Sequence, residues 1–441
     1  MEFVVGILLL LTFFGLAYYC IKGHNLMIGF LIITILWTAL SFLGAAFASP
    51  EFLSTTAFYS NGEPVKAIAI LNKIYQSAPE GWGTTLVNVC WGAWFGRVLM
   101  ETGIASTLIR KTVELGGDKP IITIVLLNVV TAFIFTAMMG AGPVIAIGVI
   151  VLPILMSLGI PKAIAMFSFM ESVAAGIYLN PVNFAQYRAF FIEVDEMPNF
   201  TLGWYAGKWG YAALIISVVV TTILAGFFLK KSKTSHAWAA QTRGASEQKD
   251  APLYTLILPI VPVVLKIWLD FSVIGGFVIA GFAALFLCGK MKGSFKENCQ
   301  LVNKLYYDGV VDTAPLVGFL LTLPMFNSVA SYASPSFKAV LGPVMPKSEL
   351  VVCILFAVLL ALGLFRGPMT LVGCGAATLG VLRGVASFSV PFLYCVFAIP
   401  SITVNIGSCI TQSWVAWGLA YTKVESKDYL KLSIPMTYIC G

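Results

Sequence analysis

Glu171 is the residue of this sequence with the most chemistry within its reach. It stands in AMFSFMESVAAGIYLN, deep inside an apolar run. Apolar surroundings penalise the anion of a carboxyl group, which suits a group that takes up a proton and gives it back. The alternative is a carboxylate paired with a lysine or arginine in a static scaffold. Arg366 is the second such residue, in LFRGPMTLVG. A guanidinium beside exposed backbone donors is a natural fork for a carboxylate, although Arg366 could instead snorkel to a polar interface.

The surroundings of both residues repeat along the chain. MGAGPVIAIG from Met139 and LFRGPMTLVG from Leu364 align at an offset of 225, with Gly142 on Gly367, Pro143 on Pro368 and Gly148 on Gly373. At the same offset Asn180 of IYLNPVN falls on Asn405 of ITVNIGS, and with a one-residue slip Gly92 falls on Gly318. The charged residues do not repeat: Glu171 falls on Val396, and Arg366 on Ala141. Helix breakers at matching places in two apolar halves point to the binding site of a secondary transporter.

The elements that must position these residues are membrane helices. Hydrophobic residues make up 59% of the 441 and charged residues 11%, and mean hydropathy is +0.91, outside the soluble range. Apolar runs long enough to cross a bilayer are read at roughly 3–20, 26–48, 82–102, 120–139, 143–160, 163–192, 205–229, 252–270, 272–289, 308–330, 348–365, 368–384 and 388–422. The alternating pattern of a β-barrel is missing. The expected fold is an all-α polytopic membrane protein of two inverted repeats, 1–204 and 252–441, joined by a helix and polar linker at 205–251.

The net charge of +7 reports topology, not nucleic-acid binding. Basic clusters at Arg110, Lys111 and Lys119, at Lys230 to Lys249, at Lys290 to Lys304 and at Lys423 to Lys431 are read as short inner loops. The acidic loop Glu193, Asp195 and Glu196 then lies outside. The N-terminus lacks a basic n-region and a cleavage site and is read as a retained helix. Leu432–Gly441 reads as the opening of a further helix in a truncated chain. The nine cysteines form no CxxC pair and support neither a disulfide framework nor a metal cluster.

Backbone irregularity at membrane depth survives only in protein or beside a wet cavity. Four places qualify: the turns Gly140–Pro143 and Arg366–Pro368, and the breaks at Asn180–Asn183 and Asn405–Ser408. Each turn joins two shortish segments, either full crossings or the arms of a re-entrant hairpin. The run 388–422 is too long for one straight crossing, so a break near Asn405 is expected, its freed backbone groups serving as ligands.

Other charges are read as supporting. Arg97 and Glu101, four apart on one helix, are expected to pair. Asp308 and Asp312 are expected in a solvated vestibule, and Lys266 and Arg383 to snorkel. Pro64–Ala78 has the spacing of an amphipathic surface helix with Ala67, Ile68, Leu71, Ile74 and Tyr75 on one face. Both histidines fall in loops and no HExxH, GxSxG or P-loop pattern occurs, so no enzyme is expected. Nothing resembles a repeated carbonyl filter.

The stretch GWGTTL from Gly81, with GAWFGRVLMETGIA from Gly92, resembles the gluconate permease family of the ion transporter superfamily, which are proton-coupled sugar-acid symporters. The likeness continues through the GAGP and RGP turns. It implies two inverted repeats, each with a re-entrant-type hairpin and a broken helix, and an elevator-type homodimer. By position it implies that Gly140, Gly142, Pro143, Arg366, Gly367 and Thr370 line the site, completed by Asn180, Asn183, Asn405 and Ser408. The chain departs from the family at Val144–Ile147, where an acidic residue is usual, and at Ile177–Val182, where a histidine is.

The expectation is therefore proton-coupled symport of a small organic anion, a carboxylate such as a sugar acid, across the cytoplasmic membrane of a bacterium. Glu171 would carry the proton, and no cofactor is implied. The alternatives are sodium coupling, for which asparagine, serine and unwound carbonyls make a hard-cation cage, and a sodium/proton antiporter.

Overall fold

With no water to satisfy their backbone groups, apolar stretches in lipid fold as helices, and helices carry nearly all of this chain. The structure is a computed structural model. It describes residues 2–22, 24–48, 53, 56–60, 63–117, 119–191, 200–232, 250–341, 343, 346–365, 369–372, 375–385 and 387–441. The acidic loop at 193–196, the basic residues Lys233, Arg243 and Lys249, and the second-turn residues Arg366, Gly367, Pro368 and Gly373 lie outside the described residues.

The order opens with α1 (Glu2–Ile21) and α2 (Leu26–Phe47). A two-stranded antiparallel ribbon pairs Tyr59 with Pro64. α3 (Ala67–Asn72) continues through a π turn at Lys73–Ser77. α4 (Gly83–Glu101) and α5 (Ile104–Gly116) follow. α6 (Pro120–Phe135) and α7 (Ala141–Ser157) flank the first glycine turn, and α8 (Lys162–Ile177) and α9 (Pro181–Arg188) flank Asn180. α10 (Tyr211–Lys231), α11 (Val261–Leu269) and α12 (Val273–Leu287) lead to α13 (Phe295–Leu341), 47 residues long. α14 (Glu349–Leu359), α15 (Gly375–Val385) and α16 (Val390–Pro400) precede a π-helical stretch, Ser401–Ser408. α17 (Ser413–Thr422) and α18 (Ser426–Cys440) complete the order.

Among the described residues four helices are long and apolar enough to cross a membrane: Met27–Phe47, Leu202–Lys231, Leu316–Ala333 and Val390–Thr422. Lys162–Ile177 with Pro181–Phe191, bent by 69° at Asn180, makes a fifth. Most of the other expected runs appear as apolar helices of 10–17 residues. The break expected near Asn405 is the π-helical stretch inside Val390–Thr422.

Three readings of the sequence are corrected. Arg110 and Lys111 sit on the helix α5, not in a loop; α5 escapes a hydropathy reading because only one side of it, with Ile104, Ala105 and Ile109, is apolar and buried. α18 begins at Ser426, six residues ahead of the expected Leu432, and buries Tyr429, Ser433 and Met436. In the amphipathic segment the buried residues are Ile70 and Ile74, while Ile68 is 62% exposed. Ile70 and Ile74, four apart, share the buried face, and Ile68, two residues from Ile70, points away from it.

The helices group into two compact units. One comprises Met1–Leu86, Tyr187–Glu193 and Pro315–Ser401. Its core is an aromatic seam, with Phe30 edge-on to Phe319 at 5.3 Å and Trp37 against Phe326 at 4.9 Å. The Trp37 indole N–H donates to Thr12 Oγ1 at 2.9 Å.

The other unit comprises Val87–Gln186, Val194–Ala314 and Ile402–Gly441, and α8 is its axis. Every residue from Ile164 to Ile177 is buried; a helix that is apolar on all sides belongs at the centre of a bundle. α6, α7, α10, α17 and α18 all pack on it. Small residues set the approach. A Cβ at Gly176 would lie 2.9 Å from the Cβ of Phe135, and one at Gly418 would lie 2.7 Å from the Met170 methyl.

Candidate functional site

Burial of α8 on all sides forces its one acid to find its partners inside the protein. Glu171 is 0% exposed. Its Oε1 accepts a hydrogen bond from Ser408 Oγ at 2.5 Å, and its Oε2 has no partner. None of the ion pairs among the described residues includes it. A buried carboxyl with one hydroxyl donor and no cation is held at least cost as the neutral acid. The carboxyl lies on the bare backbone of Gly407, where a Cβ would come 2.7 Å from Glu171 Cδ and 3.0 Å from Oε1.

The π-helical stretch supplies that surface and leaves carbonyls at its end without α-helical partners. Side chains take them up. Trp414 Nε1 donates to the Ile406 carbonyl at 2.9 Å, and the buried Tyr429 hydroxyl of α18 donates to the Gly407 carbonyl at 2.5 Å. The stretch is thus pinned on both sides of the glycine that faces Glu171. Further up, the hydroxyls of Tyr178 and Thr403 hydrogen-bond to each other. These two residues are themselves 225 apart, the spacing of the sequence repeat.

Asn180 ties the first break to the first turn. Its Nδ2 donates to the carbonyls of Phe135 and Met138 at 3.2 and 3.1 Å. Its Oδ1 accepts from the N–H groups of Val182 and Asn183 at 3.0 and 3.1 Å, an N-cap for α9. All of the amide's polar capacity is therefore committed to backbone. One turn on, Asn183 Oδ1 and Gln186 Oε1, both buried, have no hydrogen-bond partner, and neither does either amide atom of Asn405, at 0% exposure. Asn405 lies two residues from Thr403, so it projects from the opposite side of the helix. The sequence pattern marked Asn183 and Asn405; Gln186 it missed, although the three-residue spacing from Asn183 puts both on one face.

The first turn is shaped for close packing. Gly140 has φ of +98°, in the region glycine favours. Gly142 lies against Asp312, where a Cβ would be 2.8 Å from Oδ1. Pro143 lies against Gly96, whose added Cβ would be 3.3 Å from Pro143 Cγ. Asp312 is in turn held by Arg97 in a bidentate pair, Nε and Nη2 each donating at 2.6 Å. This overturns two expectations. Arg97 does not pair with Glu101, which instead meets Lys290 at 3.2 Å, and Asp312 is not a solvated vestibule residue, its side chain being 13% exposed. A fork from a neighbouring helix satisfies both carboxylate oxygens in one planar contact.

Of the expected site residues, then, Glu171 and Ser408 meet directly, with Gly407, which was not among them, supplying the surface beneath the acid, and Asn180 joins the first turn to the first break. Thr370 belongs to the other unit, buried, its carbonyl accepting from Gly375 N–H at 2.9 Å. Arg366 and Gly367 lie outside the described residues. Tyr429 and Trp414 were not expected; Tyr429 sits in a segment that reads as a basic tail.

No family model matches the sequence, and no curated protein does. The fold does have a counterpart. It is similar to the crystal structure of the YdaH transporter of Alcanivorax borkumensis, described as having an unusual topology. The TM-score is 0.60 at 13% sequence identity, over 95% of this chain and 96% of that one. The chain thus shares its fold with a transporter.

Proposed function

We propose that this chain is a secondary active transporter that carries a small organic anion, a carboxylate such as a sugar acid or a related mono- or dicarboxylate, with protons across the cytoplasmic membrane. The observation that carries the reading is Glu171, an acid without a cation partner among the described residues, sealed against the break of a second helix. An intramembrane ionisable group in that setting is a proton relay before it is a scaffold. Loading and unloading of its proton changes the hydrogen bond to Ser408, and so the break on which the substrate's surroundings depend.

The reading includes two inverted repeats. The Tyr178–Thr403 contact supports this, because residues at equivalent positions touch only near the axis that relates the repeats. Gly140, Gly142 and Pro143 shape the first substrate-facing turn, and repeat position assigns Arg366, Gly367 and Thr370 the same task. Asn183, Asn405 and Ser408 bind polar substituents, while Asn180 acts through backbone. An elevator-type homodimer in a bacterial inner membrane follows from the family resemblance.

A second reading, sodium coupling, has one observation in its favour: the unpaired oxygens of Asn183, Gln186 and Asn405 are hard-cation ligands. Uptake of labelled carboxylates into proteoliposomes under imposed proton or sodium gradients tests both. The proposal expects saturable, proton-driven accumulation that Glu171→Gln abolishes while exchange persists. Sodium-driven uptake indifferent to Glu171→Gln, or no uptake of any acid, would overturn it.

A further inference from the structure

The Arg97–Asp312 pair belongs to no role assigned so far, and its place is peculiar. Arg97 on α4 presents a guanidinium fork beside the first glycine turn, and the fork already holds a carboxylate in both hands. That carboxylate lies on Gly142, a residue with no Cβ to keep it away. The same small patch brings Gly140 near the Thr313 methyl and Gly96 against Pro143. Side-chain exposures of 27% for Arg97 and 13% for Asp312 leave the pair near the surface but mostly covered. The neighbouring pair on α4, Glu101 with Lys290, is an ordinary surface contact at 36–40% exposure.

We propose that Asp312 is an internal stand-in for the substrate's carboxylate, holding Arg97 and the Gly140–Pro143 turn closed until an incoming carboxylate takes its place on the guanidinium. This rests on the transport reading for the nature of the incoming group, but not for the latch itself. A bidentate guanidinium–carboxylate contact is specific to planar carboxylates, so a carboxylate ligand can match what Asp312 gives up. A neutral sugar cannot. Exchange of one carboxylate for another keeps the guanidinium paired and frees only the Asp312 carboxylate, whereas simple opening would leave both charges of the pair without a partner. Arg97 is then a substrate-binding residue and Asp312 a gating one.

The test uses full-length protein in proteoliposomes, with the nine native cysteines replaced and Ala141→Cys placed at the half-buried edge of the turn. Its labelling by a membrane-impermeant maleimide is measured with Asp312→Asn, which keeps shape and removes charge, and with the swap Arg97→Asp/Asp312→Arg. Uptake of radiolabelled gluconate, glycerate, succinate and citrate is measured in parallel. The expected result is severalfold faster labelling in Asp312→Asn, a return to the original rate in the swap, and a severalfold lower KM for the carried acid in Asp312→Asn. Unchanged labelling in Asp312→Asn would overturn the latch. Faster labelling with an unchanged or raised KM would overturn the exchange and make the pair structural. Faster labelling with no acid carried, even by the parent protein, would refute the transport reading and leave the latch standing.

Discussion

Gly407→Ala is the substitution for which the structure gives the clearest number. The added methyl would lie 2.7 Å from Glu171 Cδ, against about 3.7 Å for relaxed carbon–carbon contact, an overlap of about 1 Å. Neither side has room to give. The Gly407 carbonyl is fixed by Tyr429, the adjoining Ile406 carbonyl by Trp414, and Ser408 by Glu171 itself. Glu171 is buried on all sides. Overpacking of a rigid core costs about 1–3 kcal/mol, and the absence of slack puts this case near ~3 kcal/mol. Shortening the acid by one methylene withdraws it from the methyl, so Gly407→Ala/Glu171→Asp is expected to recover at least ~1 kcal/mol over the sum of the single changes. The control is Gly15→Ala, at a helical glycine with nothing within 4 Å of the new methyl, expected to be neutral or stabilising by up to about 1 kcal/mol. Denaturation of the purified protein in detergent, followed by tryptophan fluorescence, reads all four variants. A Gly407→Ala protein as stable as its parent, or one that Glu171→Asp does not relieve, would refute the proposed contact between acid and broken helix.

Asn180→Ala should cost about 2–4 kcal/mol, since it removes four hydrogen bonds to backbone, including an N-cap; the same unfolding assay checks this. Asn405→Ala should leave stability unchanged or slightly raised, because it deletes a buried amide whose two polar atoms have no partner, while uptake in proteoliposomes falls sharply. Tyr429→Phe leaves the Gly407 carbonyl without its donor and should cost about 1–3 kcal/mol, again read by unfolding. At the start of α13, Ser294 and Glu297 form a capping box, and the hydrogen bond from the Ser294 N–H holds the Glu297 carboxyl below its ordinary range. A lowered carboxyl contributes stability above its unfolded value, near pH 4.3, and loses it as pH falls through the folded one. Amide exchange of the first turn of α13 should therefore be faster in Glu297→Gln at neutral pH, with the difference vanishing in acid.

The sequence made the membrane helices and their breaks legible because both are one-dimensional properties: hydropathy over a run, and glycine, proline and asparagine where a run cannot continue. Glu171 stood out for the same reason. What hydropathy could not show was which residues meet across helices. The spacing of four between Arg97 and Glu101 suggested a local pair, yet each finds a distant partner, in Asp312 and Lys290. Tyr429 hid in a charged segment that reads as a tail, and α5 in a stretch apolar on one side only. One long-range contact was in principle within reach. Tyr178 and Thr403 lie at the repeat offset, and carrying the alignment past Asn180 and Asn405 by two residues would have matched them.

The π-helical stretch at Ser401–Ser408 also makes the winding of this helix count in single residues. A helix of this kind holds close to one residue more per turn than an α-helix. Deleting one residue there would restore the tighter winding and rotate everything beyond it by about 100°. Ser408 would swing off Glu171. A single residue thus separates the candidate site from an unbroken helix, and the acid on α8 keeps its hydroxyl partner only while its neighbour stays interrupted.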